Sequence, residues 1–156
     1  MGMKKMSEFY ELLAQQAQAL IDGVAYPIAN YANLSALLYQ SLTEINWAGF
    51  YLIEDGKLVL GPFQGKSACI EIDIGKGVCG TAVERDETMV VENVHRFPGH
   101  IACDGASMSE IVIPMHRNGE IIGVLDIDSP VESRFTEEDK LGLEEIVRII
   151  EKGQEV

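Results

Sequence analysis

The chain has 156 residues, 47% of them hydrophobic, the size of one domain able to bury its own core. Its 25 acidic residues against 12 basic ones leave a net charge of −13, which argues against nucleic acid and anionic membrane as partners. No run of about 18 apolar residues is present to span a bilayer, and the opening MGMKKMSEFY has no signal-peptide core, so a cytoplasmic chain is expected.

Ser7 is placed to cap a first helix, with Phe9, Leu12, Leu13, Ala17, Leu20 and Ile21 as its apolar stripe and Gly23 as its end. Leu34, Leu37, Leu38, Leu42 and Ile45 give a second amphipathic helix ending near Asn46. The period then changes. WAGFYLIEDGKLVLGPF reads as two strands around an Asp55-Gly56 turn. GKGVCGTAVERDE reads as a short helix opened by glycines, TMVVENV as a strand, and SEIVIPMHRNGEIIGVLDIDSP as a hairpin turning at Asn118-Gly119. Thr136, followed by Glu137, Glu138 and Asp139, caps a last helix with Leu143, Ile146, Val147 and Ile150 on one face. Hairpins flanked by helices predict an α+β fold, one antiparallel sheet with helices packed on it. The stretch from Gly61 to about Met108 is long and weakly patterned, and it holds every cysteine. Such segments in compact domains are usually functional or disordered.

The three cysteines, Cys69, Cys79 and Cys103, are spaced Cys-x9-Cys-x23-Cys. An odd number without a secretion signal makes a poor disulfide scaffold; in a reducing compartment such thiols are free, metal-bound or redox-active. Zinc sites usually begin with a pair two to four residues apart, and that pair is missing, although His95, His100 and His116 could complete a metal site. The thiols lie in loops and beside glycines, not on the apolar stripes that structural cysteines occupy. This placement favours a nucleophile with a resolving partner.

Asp126 and Asp128 alternate with Leu125 and Ile127, so they project from one face beside Val124. Paired carboxylates repel, and one pKa rises; Asp128-Ser129-Pro130 is equally good turn chemistry. Trp47 and Tyr51 are four apart on a strand and share a face about 13 Å apart at ~3.3 Å per residue, with Phe50 on the other. They read either as core or as the wall of a site. A carboxylate cluster and an aromatic wall suit a small cationic, partly apolar molecule.

NWAGFYL, the three cysteines with their spacing, GVCGTA, HIACD, SEIVIP and GVLDIDSP together resemble the free methionine-(R)-sulfoxide reductases, small enzymes built as a single GAF domain. The likeness covers essentially all of residues 1–156. It implies a six-stranded antiparallel sheet with helices on its faces and a homodimer. It implies three catalytic cysteines: Cys103 as the nucleophile on the sulfoxide sulfur, Cys69 as the thiol that resolves it, and Cys79 as a less essential third cysteine with a part in recycling. Trp47 and Tyr51 resemble the wall around the methyl-sulfur end of the substrate. Glu110, Asp126 and Asp128 resemble the cluster that holds the ammonium and the sulfoxide oxygen. Thioredoxin is the implied reductant, with no cofactor or metal. A GAF domain that only senses a small ligand is the alternative.

The cluster sets a condition on the hairpin. A two-residue type I′ loop at Asn118-Gly119 pairs Arg117 with Glu120 and points Glu110 away from both aspartates. A three-residue loop, Arg117-Asn118-Gly119, with positive φ at Gly119 alone pairs Glu110 with Asp126. The three-residue loop is therefore expected, unless a bulge resets the strand.

Overall fold

The computed structural model describes residues 5–100 and 105–154. Ser7 caps α1 (Glu8–Ile21), its Oγ accepting the Tyr10 N–H at 3.3 Å. The buried stripe is Tyr10, Leu13, Ala14, Ala17 and Ile21; Phe9, Leu12 and Leu20, expected in it, are exposed. Tyr10 sets this rotation. Its ring lies on Gly142, where a Cβ would come within 2.1 Å of it, and its hydroxyl donates to Asp139 at 2.6 Å. Helix α2 (Pro27–Ser41) stops short of the expected Asn46, with Leu42 at its C-cap. At α4 (Glu137–Gln154) the expected cap forms: Thr136 N–H donates to Asp139 Oδ2 at 2.8 Å, and Thr136 Oγ1 accepts the Asp139 N–H at 3.3 Å.

Strands β1 (Trp47–Glu54), β2 (Lys57–Gly65), β3 (Glu71–Asp73), β4 (Met89–Val91), β5 (Ser109–Arg117) and β6 (Glu120–Ser129) form one antiparallel sheet in the order β3-β2-β1-β6-β5-β4. The β1–β2 turn has positive φ at both Asp55 and Gly56, as a type I′ turn requires. β3, three residues with one buried side chain, is too short to show a period in the sequence. Alternation divides the sheet cleanly. Ala48, Phe50, Ile111, Ile113, Leu125 and Ile127 pack with α1, α2 and α4. Trp47, Tyr51, Leu58, Val112 and Val124 pack with α3 (Gly77–Arg85) on the other side.

The β5–β6 hairpin corrects the expected loop. Asn118 (φ 51°) and Gly119 (φ 84°) are both left-handed and Arg117 pairs with Glu120, a two-residue type I′ turn. The register then shifts between Met115 and His116: His116 pairs with Ile121, but Met115 pairs with Gly123, leaving Ile122 as an extra residue. That residue restores the face. Glu110 pairs with Asp128 and Val112 with Asp126, so Glu110 does join the acids, opposite Asp128 instead of Asp126. At the bulge the His116 N–H turns to Glu151 of α4 at 2.7 Å.

Candidate active site

Directly paired residues in an antiparallel sheet share a face. Trp47 of β1 pairs with Asp128, Asp128 with Glu110, and Glu110 with Val91, forming one row across four strands. Asp126 lies in the next row, between Gly49 and Val112. Helix α3 roofs these rows with Val78, Cys79, Ala82 and Val83. Beside the end of β3 it packs closely at Gly80, where a Cβ would meet the Asp73 carbonyl oxygen at 2.4 Å. The cavity between roof and sheet is lined by Trp47, Tyr51, Cys79, Glu110, Asp126 and Asp128, with Lys76, Ser107 and His100 also on its walls. The sequence-predicted wall, acids and third cysteine thus meet in one place.

The acids are buried, Glu110 at 8% and Asp126 at 5% exposure, while Asp128 is half-buried. The Cys79 Sγ donates toward Glu110 Oε2 at 3.9 Å, and donor atoms of Cys79, Glu110 and Asp126 all lie within 4.8 Å of one another. These three are the described residues placed to hold a metal ion. One carboxylate oxygen of Asp126, Oδ1, is buried with no hydrogen-bond partner. Burial, then the charges of Asp126 and Asp128, push the Glu110 carboxyl well above the usual range. Burial also lifts Asp126, to about 6, against the lowering effect of hydrogen bonds from Glu110 and Cys79. The two titrate as a unit, and burial makes the pair hold a proton more tightly than carboxyls in water do. Burial, then the negative charge of Asp126 and Glu110, drives the Cys79 thiol up. Cys79 is therefore a neutral thiol, the opposite of an activated nucleophile.

The aromatic wall is tighter than the strand spacing suggests. Trp47 and Tyr51 stack with ring centroids 5.9 Å apart, because Gly49 between them has no side chain to hold them apart. Phe63 of β2 leans over Gly49, where a Cβ would lie 2.3 Å from its own, and stacks on Trp47 at 5.0 Å. Phe63 went unnoticed in the sequence, since only pairing with β1 brings it to Trp47. The polar ends of the wall are fixed: Trp47 Nε1–H donates to the Lys66 carbonyl at 3.0 Å, and the Tyr51 hydroxyl to the Cys69 carbonyl at 2.9 Å. Burial and the nearby Asp126 hold that hydroxyl protonated.

Cys69 is half-buried and disulfide-bonded, whereas Cys79 is a free thiol. Cys103 lies outside the described residues. His100 is held toward its neutral form by burial and by His95. His116 is far from the thiols in role as well as partners: its ring lies between Glu151 at 2.8 Å and Asp86 at 2.7 Å. Among the described residues it joins no metal-ligating group with a cysteine.

The GAF domain model matches residues 13–152. The free methionine-R-sulfoxide reductase of Escherichia coli is 58% identical over 94% of this chain and 88% of that protein. The chain belongs to the free methionine-R-sulfoxide reductases, a family of GAF-domain oxidoreductases. Two solved structures are also similar in shape. The fRMsr of Staphylococcus aureus in its reduced form superposes with a TM-score of 0.92 at 54% identity over 99% of both chains. The free methionine-R-sulfoxide reductase of Neisseria meningitidis in complex with its substrate gives 0.90 at 39%, over 98% of this chain and 93% of that one. The six-stranded antiparallel sheet is the one the family resemblance implied.

Proposed function

We propose that the chain reduces free L-methionine-R-sulfoxide to methionine by thiol chemistry at this cavity. The observation that carries the reading is the geometry of the cavity: a buried pair of carboxyls, whose hold on a proton burial strengthens, beside a stacked aromatic wall. Trp47, Tyr51 and Phe63 face the methyl-sulfur end. Asp126, whose buried Oδ1 has no hydrogen-bond partner, takes the ammonium. Glu110, with Asp128 beside it, addresses the sulfoxide oxygen. The uncapped N-terminus of α3, whose first residues line the cavity, suits the α-carboxylate. A peptide-bound residue lacks both end charges and would leave these groups unpaired, which is strong discrimination.

The reaction balances without a cofactor. The Cys103 thiolate attacks sulfur, the sulfoxide oxygen takes the Glu110 proton and passes to Cys103, and methionine leaves with Cys103 as a sulfenic acid. The Cys69 thiol condenses with it, forming a disulfide and releasing water. The bonded state of Cys69 and the free state of Cys79 fit this assignment. A dithiol of the thioredoxin class then reduces the disulfide by exchange. Cys79 stays outside the electron flow as a hydrogen-bond donor to the acids. A cytoplasmic homodimer belongs to the same proposal; Phe9, Leu12 and Ile28, exposed on α1 and α2, are apolar surface available to it.

The test is NADPH oxidation in a thioredoxin-coupled assay, with the R and S epimers of free methionine sulfoxide and an N-acetylated, amidated substrate. Turnover of the free R epimer alone is expected. Tight binding of an amino acid without any turnover would replace the reductase with the ligand-sensing alternative.

A further inference from the structure

We propose that the sheet edge beside Cys69, residues 70–74, is the docking surface for the dithiol reductase that reopens the Cys69 disulfide. The need for such a surface rests on the reductase reading, in which every turnover ends in a disulfide at Cys69. β3 closes one end of the sheet, so its outer edge is open. Its ladder reaches back to the disulfide: Val59 pairs with Glu71, and the Leu60 N–H donates to the Ile70 carbonyl at 2.9 Å. Antiparallel hydrogen bonds alternate along a strand between one side and the other. Ile70 therefore turns its backbone groups to β2, and Glu71 turns its N–H and C=O to the open edge. An extended segment of a partner can pair there, two residues from Cys69.

The side chains mark the same place. Alternation puts Ile70 on the face of Ile72, which packs with α3 at 6% exposure. Ile70 lies beyond that cover, 70% exposed, and no described leucine, isoleucine or valine is more open to water. Ile74, past the end of the strand, is exposed as well. Two isoleucines and one strand edge fall short of the ~800 Å² per partner of a stable interface, and suit the weak, brief encounters of redox partners that lie below that size. A lasting cover, such as a second copy of this chain, would also block Cys69, which is half-buried and has to be reached in every cycle. The exchange balances. A thiolate of the partner attacks the Cys69 sulfur, a bond forms between the two, and the bond to Cys103 breaks with Cys103 leaving as thiolate. The partner's second thiol, deprotonated, then displaces the Cys69 thiolate. The partner ends as a disulfide, and the two chain thiolates take up the two protons the partner gave up.

The experiment starts from the full chain in its disulfide form, without sulfoxide. It measures rate constants of reduction by thioredoxin and by dithiothreitol, following the freed thiols by alkylation and mass spectrometry. Ile70→Glu should slow thioredoxin by about 10–100-fold, the worth of burying one isoleucine. Glu71→Pro removes the outward N–H and is tolerated on an edge strand; it should slow thioredoxin by about 2–10-fold, the worth of one hydrogen bond. Both variants should react with dithiothreitol at the parent's rate, and a thioredoxin without its second thiol should be trapped on Cys69. Equal slowing with dithiothreitol, parental rates with thioredoxin, capture on Cys103, or conversion of a dimer to monomer by Ile70→Glu would overturn the docking surface. The expected rates without any turnover of methionine sulfoxide would instead remove the reductase reading and leave the surface standing.

Discussion

The two faces of the sheet are built by the same strands and do opposite work. On the face toward α1, α2 and α4, Phe50, Ile111, Ile113, Leu125 and Ile127 are buried in one apolar cluster. One residue further along each strand, the other face carries Glu110, Asp126 and Asp128 beside Val112 and Val124. Burial of the first set stabilises the fold at about 25 cal/mol per Å² of apolar surface. Burial of the acids opposes folding, because a charge leaves water without full compensation. The strain of function is therefore confined to one side, and the other side holds the domain together against it.

The sharpest break in that comparison comes at the thiols. Cys103→Ser is expected to abolish turnover of free methionine-R-sulfoxide while leaving the melting temperature unchanged. Cys69→Ser should complete one turnover and stall with Cys103 as sulfenic acid, visible by mass spectrometry after one equivalent of substrate. Sustained multiple turnover by either variant would remove that cysteine from its role.

Glu110→Gln should lower kcat/KM by about 10²–10⁴-fold, the usual worth of a general acid, without loss of stability. Phe50→Ala, on the opposite face, should cost about 3–5 kcal/mol of stability yet keep kcat per folded molecule. Urea denaturation alongside steady-state kinetics on both variants gives the contrast. A Glu110 variant that unfolds, or a Phe50 variant with intact stability, would erase the division of labour.

Titration sharpens it further. Asp126 is raised by burial from 3.8 to about 6, so between those values the folded state binds more protons than the unfolded state. Stability should therefore fall as pH rises from about 4 to about 6, by on the order of 2–3 kcal/mol for a shift of this size, and go on falling above that through the raised range of Glu110. Asp126→Asn should flatten that slope in melting temperatures taken across the range.

The smallest effect belongs to His116. Burial lowers its pKa, but hydrogen bonds to Glu151 and Asp86 outweigh burial and raise it overall. Its contribution is fully present below the unfolded value of about 6.5 and is lost as pH rises through the raised folded value. The side chain is 33% exposed, and pairs so open to water contribute little. His116→Gln should remove a shallow decline in melting temperature above neutrality and leave the acid-side slope intact.

Much of this was legible in the residues. Alternation alone put Asp126 and Asp128 beside Val124 and sent Leu125 to the other face. Ser7, Thr136 and Asp55-Gly56 announced two helix starts and a turn through local hydrogen bonding and backbone preference. The α1 stripe was misread because apolar Phe9 and Leu12 outweighed Tyr10, whose burial depends on Asp139 and Gly142 far along the chain. β3 and Phe63 take their meaning from strand pairing, which a single strand does not encode. Asn118-Gly119 argued correctly for the type I′ turn on its own chemistry; the demand that Glu110 face the acids led to the three-residue loop. Both conditions hold, because the bulge at Ile122 reconciles them.

That bulge also gives the hairpin a tolerance to changes in length. Ile122 lies beyond the stretch of β6 that pairs with β1, which ends at Gly123 opposite Leu52. Its deletion would straighten the ladder yet leave Met115 opposite Gly123, and Glu110 opposite Asp128. Gly123 would keep its place against Tyr51, whose carbonyl oxygen lies 2.3 Å from where a Cβ would be. Losing one residue between Val124 and Asp126 would instead turn an acid to the helical side. Homologous hairpins can thus differ by one residue at this point while their acids stay aligned.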